Sequence, residues 1–376
     1  MKLLLNLESA TPNVVLNSMT QNRLLYIAKQ FALKGEIASI EALGEGFIND
    51  TYIIKGAGDA PDYILQRKNH VVFPDVPGMM DNIKSVTEHI KRKVADPMRE
   101  TLTIVPARDG KLYHKEDDNF WAACLYIPNT LTYSRAESTE LAYQGGVGIG
   151  KFHSLLADFK LPLNETIKGF HNMRWRFEQW DATIAADPVG RVKELKKEIG
   201  WIEEHREQML DLWSKVEKGE IPTRVTHNDT KISNILFDKS SGGVLCAIDL
   251  DTVMSSTLLN DFGDAIRSYT NTGAEDDKDL ERVEMSIDMF RAYAEGYLSE
   301  QRDTLTDSEK QWLAFSGLYI TFEQVLRFLM DYIDGDKYYK IAYPDHNLVR
   351  THAQYKLLRS MERQYDDMCN IIASLV

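Results

Sequence analysis

The sequence predicts an α+β fold of two lobes: a small β-sheet lobe that carries one long helix, and a larger, mainly helical lobe. Short apolar segments separated by turn residues dominate the chain up to about residue 127, and helical periodicity dominates from residue 128 onward. A chain of 376 residues with 43% hydrophobic residues is also long enough to bury a core in each lobe. We therefore expect an N-terminal lobe over residues 1–127, with a helix ahead of its sheet, and a C-terminal lobe over residues 128–376.

About five segments of the first lobe have the composition of β-strands, and they flank one long helix. From Pro77 to about Val94 apolar residues recur at helical spacing, which predicts an amphipathic helix. A shorter helix is expected over residues 21–34. The candidate strands lie within residues 40–55, as a strand, a glycine turn and a second strand, and at residues 63–67, 102–105 and 120–127.

Helical periodicity predicts most of the second lobe. It extends from Ser138 to Ala157, from residue 192 to about residue 218, and from residue 282 to the C-terminus. Within this lobe the sequence predicts one β-hairpin, made of two apolar arms joined by a turn of Asp, Lys, Ser and Gly over residues 235–248.

Composition excludes several classes of protein. The chain has 57 acidic and 44 basic residues, a net charge of −13 and no run of Lys and Arg, so neither nucleic acid nor an anionic membrane surface is an expected partner. No segment approaches the roughly 20 apolar residues that span a bilayer, and the apolar run at the start is too short for a secretion signal. The three cysteines are far apart and lack zinc spacing, which is typical of a reducing compartment. We expect a cytoplasmic protein.

The stretch from Thr226 to Asn234 contains the most informative motif of the chain. It has the pattern His-x-Asp-x-x-x-x-Asn, with His227, Asp229 and Asn234 in the three defined places. In phosphoryl-transfer sites of this pattern the Asp orients an attacking hydroxyl group and accepts its proton, and the Asn holds a magnesium ion. The motif therefore predicts phosphoryl transfer.

The hairpin after this motif is expected to bring a carboxylate to the same place. If its two arms pair symmetrically, Ile235 faces Ile248 and Asn234 lies opposite Asp249, with Cβ atoms about 4.5–5.5 Å apart. An amide oxygen and a carboxylate at that distance can share one Mg²⁺ ion. Asp251 would lie on the same face and is a candidate accessory ligand. The alternative is a polar turn that only joins two core strands, but the combination of loop and hairpin favours the metal site.

These lobes and motifs resemble the aminoglycoside phosphotransferase and choline kinase group, and the resemblance spans nearly the whole chain. Within that group, residues 226–231, 250–254 and 261–267 are most similar to bacterial N-acetylhexosamine 1-kinases. Those enzymes use ATP and Mg²⁺ to phosphorylate the anomeric hydroxyl group of N-acetylglucosamine and N-acetylgalactosamine. The resemblance therefore implies a bilobal protein-kinase-like fold, these two cofactors and a sugar acceptor.

The resemblance also implies a role for each residue of the core motif. Asp229 takes the place of the catalytic base, and Asn234 and Asp249 take those of the magnesium ligands. His227 would support the catalytic loop by packing and hydrogen bonding. An Asp-Phe-Gly tripeptide, which binds magnesium in protein kinases, begins at Asp261, but Asp249 is closer to the base and ends the returning strand of the hairpin. We therefore expect Asp261 to brace the loop or the start of a helix.

The nucleotide is expected between the lobes. The turn between the first two strands would cover its phosphates, because glycines let backbone amides approach them, although an ordinary hairpin has similar glycines. The connector would hydrogen-bond the adenine through the backbone of Tyr126 and Ile127. The candidate residues of the covering turn are Gly44, Gly46, Phe47 and Asn49.

The third strand departs from the family pattern, which places a Lys over the α and β phosphates. The strand contains Gln66 and Arg67, and Lys68 follows. We choose Arg67 for the phosphate contact because guanidinium binds phosphate bidentately, and strand alternation decides between it and Gln66. Its expected acidic partner on the long helix is Glu88, with Asp81 as the second choice.

The acceptor pocket is expected beside the base and on the helices that follow it. A neutral sugar needs hydrogen-bonding groups against an aromatic wall, whereas the alternative role of the two arginines below is to form bracing ion pairs. Choline, ethanolamine, homoserine and aminoglycosides are alternative acceptors. A remote alternative is an inactive kinase-fold scaffold, which the absence of a third-strand Lys would explain. The candidate acceptor-binding residues are Asn260, Asp264, Arg267 and Arg327.

Overall fold

The N-terminal part of the described chain is built on a six-stranded antiparallel β-sheet. The computed structural model describes residues 20–43 and 49–376. The strand order is β1-β2-β3-β6-β4, and β4 and β5 pair with opposite ends of β6. The prediction of about five strands misses β5, whose three polar residues show no apolar alternation. The strands are β1 Ile37–Ala42, β2 Asp50–Gly56, β3 Tyr63–Lys68, β4 Ile104–Val105, β5 His114–Glu116 and β6 Asn119–Leu125.

Two helices accompany this sheet, α1 (Gln21–Ala28) and the longer α2 (Val76–Lys91). The side chain of Asp75 accepts a hydrogen bond from the backbone N–H of Gly78 at 2.9 Å, which caps the start of α2. The apolar face of α2 packs in one cluster with Ala122 of the sheet and with Leu250, which follows the predicted hairpin. The long helix therefore contacts both the sheet and the segment that carries the predicted metal ligands.

Helices form most of the remaining described chain. The central one, α8, begins with a capping box, in which the N–H of Thr306 donates to Glu309 at 2.8 Å and the N–H of Glu309 donates back at 3.2 Å. It ends at Gly335, whose φ of 95° stops the helix and breaks the predicted helical run before α9. No helix within the described ranges is both long and apolar enough to cross a membrane. The helices are α3 Thr139–Leu155, α4 Met173–Ala186, α5 Lys196–Glu217, α6 Leu258–Thr270, α7 Ile287–Gln301, α8 Asp307–Asp334, α9 His346–Arg363 and α10 Tyr365–Leu375.

Helices α3 and α7 approach each other closely because glycines lie at their contact. A Cβ atom on Gly146 would lie 2.2 Å from the carbonyl oxygen of Tyr293, and one on Gly296 would lie 2.0 Å from that of Tyr143. Neither position has room for a side chain. This contact fixes α3, which carries His153 toward residues 227–234, the predicted catalytic loop.

Short β-ribbons interrupt the helices in the second part of the described chain. β7 (Thr130–Leu131), β9 (Ile235–Asp238) and β10 (Val244–Ala247) form one sheet, and β8 (Arg224–Thr226) pairs with β11 (Met254–Ser256). The sequence predicts β9 and β10 only, because the other strands have two or three residues and give no alternation. β7 follows the connector directly and pairs with β9, so the connector and the hairpin belong to one sheet.

The hairpin of β9 and β10 pairs one residue away from the expected register. Asp238 closes the turn: its N–H donates to the carbonyl of Gly243 at 2.8 Å, and its carboxylate accepts the N–H groups of residues 240 and 241. The arms therefore begin to pair closer to the turn than a symmetric hairpin would. A bulge between Val244 and Cys246 then takes back part of this shift, so Asn234 lies opposite Ile248 rather than Asp249, and the N–H of Ile248 donates to the carbonyl of Asn234 at 2.8 Å.

Candidate active site

The loop that joins β8 to β9 holds the carboxylate of Asp229 from two sides. The side-chain amide of Asn234 donates to Asp229 Oδ2 at 3.0 Å and to the Asp229 carbonyl at 2.8 Å. On the other side, Nζ of Lys231 lies 3.0 Å from Asp229 Oδ1. These two contacts fix the direction of the carboxylate. The Asp229 side chain keeps 26% of its surface exposed, so an acceptor hydroxyl group can still reach it. The sequence analysis gives no role to Lys231.

Asp261 supports this loop from beneath. Its carboxylate accepts the backbone N–H groups of His227 at 2.6 Å and Asn228 at 2.7 Å, and it also bonds Nε2 of His153 at 2.7 Å. The Asp261 side chain is fully buried. Because Asn228 has a φ of 64°, which is unfavourable for a residue with a side chain, these bonds help to hold a strained loop conformation.

His227 is bonded through both ring nitrogens. Its Nδ1 accepts the N–H of Asp229 at 3.3 Å, so its Nε2 carries the proton and donates to the carbonyl of Ile248 at 2.8 Å. Neither nitrogen is left for proton transfer. The imidazole ties the catalytic loop to the end of the hairpin.

Asp249 follows β10 in a left-handed conformation, with a φ of 57°. Its side chain opens into the cleft between the sheet and the helical region, which Asn234 and Asp251 also line. The protein that surrounds it, and then the nearby carboxylates of Asp251 and Asp229, raise the pKa of Asp249 to about 6. A carboxylate held in this way gains stability from a cation.

Asn234 and Asp249 fit a magnesium ion. Oδ1 of Asn234 accepts no hydrogen bond from any described residue, and it lines the same cleft as Asp249. The described residues contain no group of three or more His, Cys, Asp or Glu side chains that would hold a metal alone. Magnesium typically takes only one or two carboxylates and completes its shell with water and phosphate, so these two side chains match its requirements.

The cleft has a volume of about 440 Å³ and apolar walls on one side. Tyr126 and Ile127 of the connector line it, together with Leu43. The N–H of Tyr126 donates to the carbonyl of Asp62 at 3.0 Å, which leaves its carbonyl for the adenine, and that contact stays a prediction. The N–H of Ile127 has no partner among the described residues and can bond a ligand.

Lys68, and not Arg67, is the cation of the third strand that enters the cleft. β3 extends to Lys68, so alternation places Gln66 and Lys68 on the cleft face. Arg67 lies on the opposite face, where its Nε donates to Asp50 at 2.7 Å. The choice of Arg67 is therefore wrong, because the predicted strand ended one residue early and the lysine was counted as part of the following loop.

The expected acidic partner on α2 is also wrong. Glu88 is exposed and pairs with Lys91 at 2.9 Å, and Asp81 is exposed as well. The carboxylate that bonds Lys68 is that of Asp251, at 2.7 Å. The oxygens of Asp251 accept hydrogen bonds from Lys68 and Asn49, and its role as an accessory metal ligand stays a prediction.

Three residues of the predicted phosphate-covering turn, Gly44, Gly46 and Phe47, lie outside the described residues. The fourth, Asn49, is described and buried. Its amide nitrogen donates to Asp251 Oδ2 at 2.7 Å, so the end of this turn reaches the segment after the hairpin.

Three of the four predicted acceptor residues brace the helical region. Asn260 is fully buried and donates to Ser256 at 2.8 Å. Asp264 accepts the N–H of Thr230 at 2.9 Å and pairs with Arg267 at 3.1 Å. Arg267 is buried as well and forms bracing ion pairs, which was the alternative role for it. Asp264 thus supports the catalytic loop directly, and none of the three side chains lines the cleft or the cavity that Arg327 faces.

Arg327 differs from these residues because it faces a second cavity, of about 240 Å³. Its guanidinium lies 5.7, 5.6 and 5.5 Å from the ring centres of Phe170, Tyr338 and Tyr339. No carboxylate among the described residues forms an ion pair with it. The sequence analysis gives no role to Phe170, and no motif marks it.

The second cavity is connected to the catalytic loop through residue 171. The ring of Phe170, which contacts the Arg327 guanidinium, lies tilted beside that of His171, with centres 4.2 Å apart. Nε2 of His171 lies 3.4 Å from the carbonyl of Asn228 in the catalytic loop, and its Nδ1 bonds Glu323 at 2.5 Å. Glu323 also accepts a bond at 2.9 Å from Nε of Arg176, which lines the cavity, so the cavity and the catalytic loop share one buried hydrogen-bond network.

Solved structures define the class of this fold as kinase-like. An aminoglycoside phosphotransferase from Alicyclobacillus acidocaldarius has a TM-score of 0.57 at 11% identity, covering 91% of this chain and 96% of that chain. A choline kinase from Cryptosporidium parvum has a TM-score of 0.57 at 13% identity, covering 94% of this chain and 99% of that chain. A spectinomycin phosphotransferase, solved with ADP and spectinomycin, has a TM-score of 0.54 at 13% identity, covering 95% and 98%.

The family follows from the sequence match. The model of the phosphotransferase enzyme family, APH, matches residues 39–298. This is more than half of the chain, and the chain belongs to that family. The fold and the family together identify a phosphotransferase of the small-molecule kinase type, as the resemblance implied.

Proposed function

We propose that this phosphotransferase is an ATP- and Mg²⁺-dependent kinase for the anomeric hydroxyl group of N-acetylhexosamines. N-acetylglucosamine or N-acetylgalactosamine would be converted to the sugar 1-phosphate. The adenine lies against the connector, where Ile127 offers an N–H group, and the phosphates extend toward Lys68. The boundary between the lobes, at residues 127 and 128, falls in this connector, so the nucleotide lies between them.

The chemistry depends on the position of Asp229. Its carboxylate orients the sugar hydroxyl group and accepts its proton, while the hydroxyl oxygen forms a bond to the γ-phosphorus and the bond between that phosphorus and the bridging oxygen of ADP breaks. Asn234 and Asp249 would hold Mg²⁺, which supplies charge neutralisation at the phosphates. Lys231, beside the base, adds a positive charge where the transferred group arrives.

The unpaired guanidinium of Arg327 is the observation that favours a sugar. A hydroxyl-rich acceptor with an acetamido carbonyl offers acceptors for its N–H groups, and the rings of Phe170, Tyr338 and Tyr339 supply flat apolar surface for a pyranose. The same guanidinium repels cationic acceptors such as choline, ethanolamine and aminoglycosides.

Two carboxylates in the second cavity do not reverse this preference. Asp331 accepts the backbone N–H groups of residues 337, 338 and 339 at 2.8–3.0 Å. Asp334 forms an ion pair with Lys337 at 2.9 Å. Backbone donors compensate the charge of Asp331, and Lys337 compensates that of Asp334 at the surface, so a cationic acceptor would gain little from them.

The observation that suggested an inactive kinase-fold scaffold does not hold in the folded chain. It rested on the absence of a third-strand Lys, and Lys68 occupies the cleft face of β3. A site with Asp229, Asn234, Asp249 and Lys68 has the groups that phosphoryl transfer requires.

A coupled assay of ADP release tests the proposal. Purified protein with MgATP is offered N-acetylglucosamine, N-acetylgalactosamine, choline, ethanolamine, homoserine and an aminoglycoside, and the phosphorylated position is identified by ³¹P NMR. We expect turnover with the N-acetylhexosamines and a phosphorus signal coupled to the anomeric proton. Turnover with choline or an aminoglycoside alone would replace the sugar assignment, and no turnover with any acceptor would favour the scaffold. The Asp229→Asn variant serves as the background control.

A further inference from the structure

A buried ion pair connects the sheet to the segment that follows the hairpin of β9 and β10. Nζ of Lys68 lies 2.7 Å from Oδ1 and 2.9 Å from Oδ2 of Asp251, and the two side chains are 4% and 6% exposed. Gln66 Oε1 accepts a third bond from the same ammonium at 2.7 Å. Lys68 is thus held in a fixed direction at the wall of the nucleotide cleft.

Asn49 fixes the carboxylate in turn. Its amide nitrogen donates to Asp251 Oδ2 at 2.7 Å, and its Oδ1 accepts the backbone N–H of Asn69 at 3.1 Å. Because the N–H of Asn69 can only donate, the oxygen of the Asn49 amide must face it, and the NH₂ group must face Asp251. Asp251 therefore receives donors from the end of β3 and from the residue that precedes β2, although it lies far beyond both in the chain.

The long helix α2 offers no replacement for this carboxylate. The α2 side chains that line the cleft are the apolar Met80 and Ile83. The acidic residues of α2 that the sequence analysis considered, Asp81 and Glu88, are exposed. A buried ammonium group without an anionic partner is costly, so Lys68 depends on Asp251.

We infer that Asp251 is a positioning residue that holds the ammonium group of Lys68 toward the phosphates of the nucleotide. In protein kinases a glutamate on the long helix of the small lobe pairs with the third-strand lysine. Here Asp251, which belongs to the other lobe, takes that place. The inference rests on the nucleotide site proposed above. The competing role for Asp251 is that of a second metal carboxylate beside Asp249. A metal ligand would change how much Mg²⁺ increases the affinity for ADP, whereas a positioning residue would not.

Calorimetric titration with ADP separates these roles without any turnover. The quantity of interest is the ratio of ADP affinities measured with Mg²⁺ and with EDTA. In Asp251→Asn we expect the wild-type ratio, because the metal ligands are intact, whatever happens to the absolute affinity. Asp249→Asn is the matched control, in which the ratio falls toward one. A ratio that falls in Asp251→Asn as it does in Asp249→Asn would overturn the inference.

A double-mutant cycle on kcat/KM for ATP gives an independent test. Lys68→Met and Asp251→Asn are each expected to lower it by about 100-fold, which is typical when a reacting group is misplaced by an ångström. Because Asp251 acts through Lys68, the double variant should be no worse than Lys68→Met. Losses that multiply would show that Asp251 acts independently, and the inference would fail.

Folding and the nucleotide site need separate controls. If Asp251→Asn does not fold, the double variant, which removes both charges of the buried pair, replaces it, and its affinity ratio is compared with that of Lys68→Met. If the wild-type protein binds no ADP with Mg²⁺, the proposed nucleotide site itself is wrong. A wild-type protein that binds MgADP, with a lowered ratio in the Asp251 variant, contradicts the positioning role alone.

Discussion

The side-chain amide of Asn234 donates to the carboxylate of Asp229 across 3.0 Å, so the proposed metal ligand and the proposed base are in direct contact. Because the nitrogen of Asn234 is used in this bond, its oxygen is the atom left for a cation. One side chain therefore orients the base and faces the metal, which couples the two parts of the site.

Replacement of the base should abolish turnover and spare nucleotide binding. A positioned general base contributes about 10²–10⁴-fold, so kcat of Asp229→Asn is expected to fall by about that factor. Calorimetric titration should give an ADP affinity equal to that of the wild-type protein. Asp303→Asn, at an exposed position, is the matched control. Wild-type kcat in Asp229→Asn would contradict the assignment of the base.

The support beneath the catalytic loop should be important for stability. Asp261→Ala leaves the buried N–H groups of His227 and Asn228 without an acceptor, and a buried unpaired donor costs about 1–3 kcal/mol. We expect the free energy of unfolding in urea to fall by about 3 kcal/mol or more, since His153 also loses its partner. Asp303→Ala should leave it unchanged. A loss below about 1 kcal/mol would mean that water replaces the carboxylate.

Arg327 should affect the acceptor and not the nucleotide. In Arg327→Met the guanidinium is lost while most of the aliphatic stem remains, and a hydrogen bond to a charged group contributes about 1.5–3 kcal/mol. The KM for N-acetylglucosamine should therefore rise by about 10- to 100-fold, since 1.4 kcal/mol corresponds to tenfold. Steady-state kinetics should give an unchanged KM for ATP. Equal increases in both KM values would place Arg327 outside the acceptor site.

Magnesium affinity should depend on pH through Asp249. The raised pKa of this carboxyl group, about 6, means that the metal-free protein keeps the proton to higher pH than an ordinary aspartate does. A metal ligand must be deprotonated, so the apparent affinity for Mn²⁺, a spectroscopic substitute for Mg²⁺, should rise from pH 5 to about pH 6 and level off above it. Electron paramagnetic resonance titrations measure this. In Asp249→Asn the rise should disappear.

The sequence predicts the parts of the fold that have long periodic patterns. The long helix of the first lobe and the helical region are present because apolar periodicity over ten or more residues is a strong signal. The main strands of the sheet and the hairpin after Asn234 are present because apolar segments bounded by turn residues mark strands as well. The strands β5, β7, β8 and β11 have two or three residues and lack such a signal. β7, β8 and β11 pair with partners distant in the chain, which the local sequence does not contain, whereas β5 pairs with β6, the strand that follows it directly.

The site shows the same limit at the level of single residues. The motif identifies Asp229 and Asn234 because their spacing is fixed within one loop. The partner of Lys68 is not predictable in this way, because Asp251 lies 183 positions away and meets it only in the folded chain. One residue of strand length also decides between Arg67 and Lys68, and strand ends are the least certain part of any sequence-based prediction.

The pairing of β7 with β9 limits where a hinge between the sheet and the helical region could lie. Leu131, just after the connector, lies opposite Phe237 in the arm of the hairpin that begins beside Asn234. A rotation that opens the cleft would have to bend the chain before Thr130, where Asn129 already has a φ of 56°. The ligands of the cation and the base would then stay together on one half, and the rotation would also have to break the bonds that Asp251 accepts from Lys68 and Asn49.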